Sequence, residues 1–151
     1  MKPRLSYFFA ALTISMLFFL SSCTNYLANN DCIFAARIID GDTFILQTDE
    51  KVRLIGIDTP EKKERYYFEA TQELTSLISG KCLRLEKDIS DKDEYGRLLR
   101  YVYVDNNFIN EMMVEKGFAE SFPFFPDVKY ASKFEKVQLY AKKNKLGMWS
   151  D

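Results

Sequence analysis

The chain has 151 residues, 47% hydrophobic and 28% charged, with 21 Lys and Arg against 22 Asp and Glu, the balance of a globular domain rather than a disordered tail. It contains no histidine and only three cysteines, which excludes Ser-His-Asp and Cys-His nucleophile systems, His-ligated zinc and a four-thiolate zinc site. Any catalysis falls to carboxylates, Lys, Tyr, Arg or an oxygen-bound metal.

The N-terminal segment reads as a targeting signal. Lys2 and Arg4 precede an almost uncharged run from Leu5 to Leu20, followed by Ser21, Ser22 and Cys23. The run is short for a span of roughly 20 residues and lacks a polar stop-transfer flank, so it reads as an export signal. Leu20-Ser21-Ser22-Cys23 resembles a bacterial lipobox. That resemblance implies removal of residues 1–22 and a lipid on Cys23, with an ordinary signal peptide beside a free Cys as the alternative. Residues 23–32 then tether a membrane anchor to a mildly acidic body, 33–151, at the periplasmic or extracellular face of the cell envelope. Export also makes a Cys32–Cys82 disulfide the default, with two buried thiols as the alternative. Closing so long a loop stabilises by roughly 4 kcal/mol in the chain-entropy model.

The body begins with short β-type runs. Phe34 to Ile39, the turn Asp40-Gly41, Thr43 to Gln47, the polar turn Thr48-Asp49-Glu50 and Val52 to Ile57 predict a three-stranded meander. Ala70, Leu74, Leu77 and Ile78 share one helical face, which predicts a helix from Phe68 to Ser79 stopped by Gly80. Strands at Cys82 to Lys87 and Arg97 to Val104 follow, joined by an acidic loop that carries Asp88, Asp91, Asp93 and Glu94. Asn106 or Asn107 is expected to cap a helix that runs to Lys116. The last helix places Tyr130, Phe134, Val137 and Ala141 on one face. Five strands and three helices give an α+β fold, with the strands closed into a small barrel.

Polar residues concentrate at Asp40-Gly41-Asp42-Thr43 and from Arg53 to Glu61, which a hairpin brings together. Asp42 and Asp58 lie at a strand start and a strand end, where converging carboxylates suit a hard cation such as Ca²⁺ or Mg²⁺. Singly, each is also an ordinary turn residue. With Arg53, Asp58-Thr59-Pro60-Glu61, Tyr95-Gly96-Arg97 and Trp149-Ser150 in order, the chain resembles the staphylococcal nuclease (thermonuclease) family over about residues 33 to 151.

That resemblance implies an OB-type five-stranded β-barrel with three packed helices and a Ca²⁺-dependent phosphodiesterase site. Asp42 and Asp58 would ligate Ca²⁺ by side chain and Thr59 by its carbonyl, with Asp40 in support. Glu61 would act on the attacking water as general base or as its orienter. Arg53 and Arg97 would clamp the phosphate, and replacing either with Ala is expected to cost roughly 10²- to 10³-fold while leaving the fold intact. The implied substrate is single-stranded DNA and RNA, cleaved to 3′-phosphates, and a monomer is the default for a nuclease of this size. The chain departs from the family in its acidic balance, its short loop after Glu61, and Glu94 where Lys is frequent. Phe124 and Phe125 would stack on bases or pack locally. A non-catalytic OB-type module that binds nucleic acid or protein at the membrane surface is the competing reading.

Overall fold

The computed structural model describes residues 32–150, so the signal, Cys23 and the tether up to Asp31 lie outside the described residues. Three strands open the body: β1 (Ala35–Ile38), β2 (Thr43–Leu46) and β3 (Lys51–Leu54). They form the antiparallel meander, with Thr43 opposite Arg53 and Ile38 opposite Phe44. Period-2 alternation sets the faces: Phe44, Leu46, Val52 and Leu54 are buried, while Lys51 is exposed.

The apolar run Val52 to Ile57 is not one strand. It breaks at Gly56 (φ +76°), and β4 (Ile57–Asp58) leaves in a new direction. A Cβ at Gly56 would meet the Phe134 ring at 2.7 Å, so both the positive φ and the close packing require glycine. The buried Asn110 secures this corner from inside. Its Nδ2 donates to the Ile55 carbonyl at 3.0 Å, and its Oδ1 accepts the Val102 N–H at 2.9 Å.

Helix α1 (Tyr67–Ile78) buries Ala70, Leu74, Leu77 and Ile78, the face its sequence spacing marks. Strands β5 (Leu83–Glu86) and β6 (Leu98–Val104) follow. The main sheet runs β1-β2-β3-β6-β5, with β3 and β6 parallel and the other pairs antiparallel. It curls until Leu83 of β5 donates its N–H to the Ile33 carbonyl just ahead of β1, at 2.8 Å. Cys32 and Cys82 are joined at this seam, with Cα atoms 5.0 Å apart and a sequence separation of 50.

Asn106 and Asn107 do not cap a helix. They form the turn and first residue of β7 (Asn107–Phe108), which folds back on β6. Helix α2 (Ile109–Glu115) starts two residues later without a side-chain cap. β8 (Glu120–Ser121) pairs with β4, and α3 (Ala131–Lys143) and a 3-10 turn (Gly147–Trp149) close the chain. Tyr101, Phe108, Tyr130 and Phe134 pack as an aromatic cluster under α3, with Tyr101 and Tyr130 edge-to-face at 4.6 Å. The result is a partly closed five-stranded barrel with three helices, α+β as the sequence predicts.

Candidate active site

The β1–β2 turn is pressed into the site by its glycine. A Cβ on Gly41 would lie 2.8 Å from the Ala70 Cβ and 2.9 Å from the Thr59 Cβ, so only glycine lets the turn approach α1 and the segment after β4. Asp42, 6% exposed, is thereby delivered against Thr59. The Thr59 N–H and Oγ1 donate to Asp42 Oδ2 at 3.1 and 2.9 Å, and Thr43 Oγ1 donates to Oδ1 at 2.9 Å. Asp40 supports the turn by accepting the Asp42 N–H at 3.1 Å.

Arg53 projects from β3 between two carboxylates. Its Nε lies 3.2 Å from Asp42 Oδ1 and its Nη2 donates to Asp58 Oδ1 at 2.9 Å. Nη1 donates to the carbonyls of Leu54 and Ile57, both at 2.8 Å. Arg53 is therefore a structural bracket between β3 and β4 as well as a cation in the site. Its removal is therefore expected to weaken the fold, where the sequence alone suggests that it spares it: the side chain is 14% exposed, and it balances a buried Asp42.

The carboxylates crowd one another despite Arg53. Burial first, then the charges of Asp42, Glu61 and Glu120, raise the Asp58 carboxyl above the ordinary range, with Arg53 opposing them. Burial and the neighbouring Asp42 raise Asp40 in the same way. The donor set is oxygen only and carries excess negative charge, which is the environment that a hard divalent cation relieves. Among the described residues, no three acidic, His or Cys side chains form a cluster that could hold a metal by themselves. Glu61 is exposed on the loop after β4, where its N–H is held by Glu64 Oε2 at 2.6 Å.

Arg97 stands just before β6 across a groove of about 500 Å³, whose walls include Arg53, Glu94, Tyr95, Phe122 and Phe124. Asp93 holds Arg97 by its Nε at 2.6 Å and by its backbone N–H at 2.9 Å. Burial alone would raise the Asp93 carboxyl, but the bonds from Arg97 outweigh it and hold the group below the ordinary range. Two further acids of this loop are structural: Asp91 pairs with Arg100 at 2.8 Å, and Asp88 accepts the Tyr101 hydroxyl at 2.8 Å. Buried Asp127 accepts the Ser90 N–H at 2.7 Å and so ties together the two loops that wall the groove. Two lysines at the start of the last helix also pair with acids of the body: Lys129, just ahead of α3, with Glu86, and Lys133 on α3 with Glu111.

The groove corrects the choice of aromatic residues. Phe124 lines it together with Phe122, whereas Phe125, 82% exposed, does not. Prolines at 123 and 126 hide this alternation from a periodicity reading. Sequence reasoning also missed Asn110, although a polar residue beside Ile109, Met113 and Val114 on a buried helical face was a usable signal.

Residues 51–151 match the family model described as staphylococcal nuclease homologue. The thermonuclease of Staphylococcus hyicus is 35% identical over 133 residues, covering 82% of this chain and 79% of that protein. The thermonuclease of Staphylococcus intermedius is 37% identical over 122 residues, covering 75% and 73%. Endonuclease YncB of Bacillus subtilis is 37% identical over 125 residues, covering 76% and 59%. The matched stretch carries Arg53, Asp58, Glu61 and Arg97, and the curled sheet with its three helices is an OB-fold. The chain thus belongs to the staphylococcal nuclease family.

Proposed function

We propose that the chain is a nuclease that hydrolyses phosphodiester bonds in single-stranded DNA and RNA, depends on calcium and leaves 3′-phosphates. The observation that carries this reading is the Arg53 bridge, one guanidinium that spans Asp42 and Asp58 at the edge of a groove with Arg97 on its wall. In-line attack on a phosphodiester concentrates negative charge on the non-bridging oxygens, and Arg53 and Arg97 supply fixed positive charge there. Thermonuclease and endonuclease relatives support the same chemistry.

Asp42, Asp58 and the Thr59 carbonyl would hold Ca²⁺, and the bound cation would neutralise charge on the phosphate. Glu61 orients the attacking water or takes its proton, a role open to a carboxylate in a chain without histidine. Phe122 and Phe124 offer aromatic faces to the bases beside the scissile phosphate. Because the exposed surface is not strongly basic, substrate affinity should be modest and salt-sensitive.

Calorimetric titration with Ca²⁺ tests the metal. The wild type is expected to give a binding heat that Asp58→Asn abolishes, and no heat at millimolar Ca²⁺ would count against the cation. The chain is also proposed to be exported and held in the cell envelope by a lipid on Cys23. In cells, Cys23→Ser is expected to move the protein from the membrane to the soluble fraction, and unchanged detergent partitioning would overturn the anchor.

A further inference from the structure

A second cavity adjoins Asp58. It encloses about 300 Å³ and is lined by Asp58, Glu64, Arg65, Tyr66, Glu120 and Met148 among others. That volume is at the low end of small-ligand sites and suits one flat group. Building on the nuclease reading above, we infer that this cavity is a second nucleobase subsite. It takes the base across the scissile phosphate from the Phe122 and Phe124 groove, and it favours bases that carry an exocyclic amino group.

Continuity between the cavities is the first ground. Asp58 lines the cavity and is bonded to Arg53, which lines the groove. β8 makes a second link: Glu120, the cross-strand partner of Asp58, lines the cavity, and the chain continues directly to Phe122 and Phe124 in the groove. A strand with its phosphate at Arg53 therefore has one neighbouring nucleotide against each recess.

Lining chemistry is the second ground. Asp58, Glu64 and Glu120 place three carboxylates around one recess against one guanidinium, that of Arg65, a net negative lining that disfavours a phosphate but accepts N–H donors. Adenine, cytosine and guanine present amino groups to such acceptors, whereas thymine and uracil present carbonyls in those places. Tyr66 supplies a π-face. Its hydroxyl is 2.7 Å from Ser150 Oγ, and the Arg65 guanidinium lies 4.9 Å from its ring centroid. Its backbone is held left-handed (φ +69°), a conformation that costs a non-glycine residue energy and sets the ring's exit from the chain.

The test uses single-stranded oligonucleotides with one cleavable phosphodiester, each base or an abasic residue being placed in turn on either side of it. On one side the wild type is expected to cleave amino-bearing bases faster than thymine, and the abasic substrate slowest, by about fivefold or more, the low end of one base contact. Tyr66→Ala should remove the difference between base and abasic substrates. Glu120→Gln, whose amide donates as well as accepts, should narrow the amino preference and carries the test where Tyr66→Ala does not fold. Equal wild-type rates for all bases and the abasic residue on both sides would overturn the subsite, as would a base preference unchanged in both variants. If no oligonucleotide is cleaved under any metal condition, the nuclease reading fails and fluorescence anisotropy of the same set decides. Tighter binding of the amino-bearing bases then upholds the subsite, and equal affinities overturn it.

Discussion

Arg53→Ala is expected to lose about 3–5 kcal/mol of stability in addition to its activity, a drop of roughly 10–20 °C in Tm. Asp42 is 8% exposed at its side chain, and Arg53 is its ion-pair partner. Removing the guanidinium leaves a buried carboxylate whose remaining donors are the hydroxyls of Thr43 and Thr59 and one backbone N–H. The same change frees the carbonyls of Leu54 and Ile57, which Nη1 now satisfies at the corner between β3 and β4. Arg53→Lys keeps the charge but offers one compact ammonium where three guanidinium nitrogens now bond, so it should restore only part of the stability. Thermal unfolding of the two variants beside the wild type reads the effect, and an unchanged Tm for Arg53→Ala would contradict the bracket role. Arg97→Ala is the contrasting case. Its side chain is 29% exposed and pairs with Asp93 on the same turn, so activity should fall roughly 10²- to 10³-fold with little change in Tm.

Glu61→Gln is expected to lower kcat by roughly 10²- to 10⁴-fold while its stability stays within about 0.5 kcal/mol of the wild type. The side chain is exposed, and the bond that fixes its loop comes from its backbone N–H, which the substitution retains. Wild-type turnover in Glu61→Gln would remove Glu61 from the reaction altogether.

The parts of the fold that were legible are those where burial imposes a period. Phe44 and Leu46 alternate in β2, Val52 and Leu54 in β3, and the buried face of α1 repeats at helical spacing. β4, β7 and β8 are two residues long and too short to show a period. Gly56 sits inside an apolar run where nothing local announces that Phe134, far along the chain, occupies the space beside it. Asn106 and Asn107 read as helix caps in the sequence, but Asn is equally favoured in turns, and pairing of β7 with β6 decided for the turn. In the site, the closeness of Asp42 and Arg53 was legible because the β2–β3 hairpin register sets Thr43 opposite Arg53, whereas Asp58 lies beyond the break at Gly56, on β4, where that register does not reach. The second role of Arg53 was not, since a strand residue's period says which face it takes and not that it spans two carboxylates and two carbonyls. That Phe122 and Phe124 both line the groove was hidden for a similar reason, because the groove forms where two loops meet, tied by Asp127, rather than on a repeat.

The most direct measurement is cleavage of a fluorescent single-stranded DNA by the purified protein, with Ca²⁺ and with EGTA, beside Glu61→Ala and Arg97→Ala. Cleavage that requires Ca²⁺ and collapses in both variants is expected. A folded wild type that cuts neither DNA nor RNA at low salt with any divalent metal would contradict the nuclease assignment and leave a binding module on the same OB-fold.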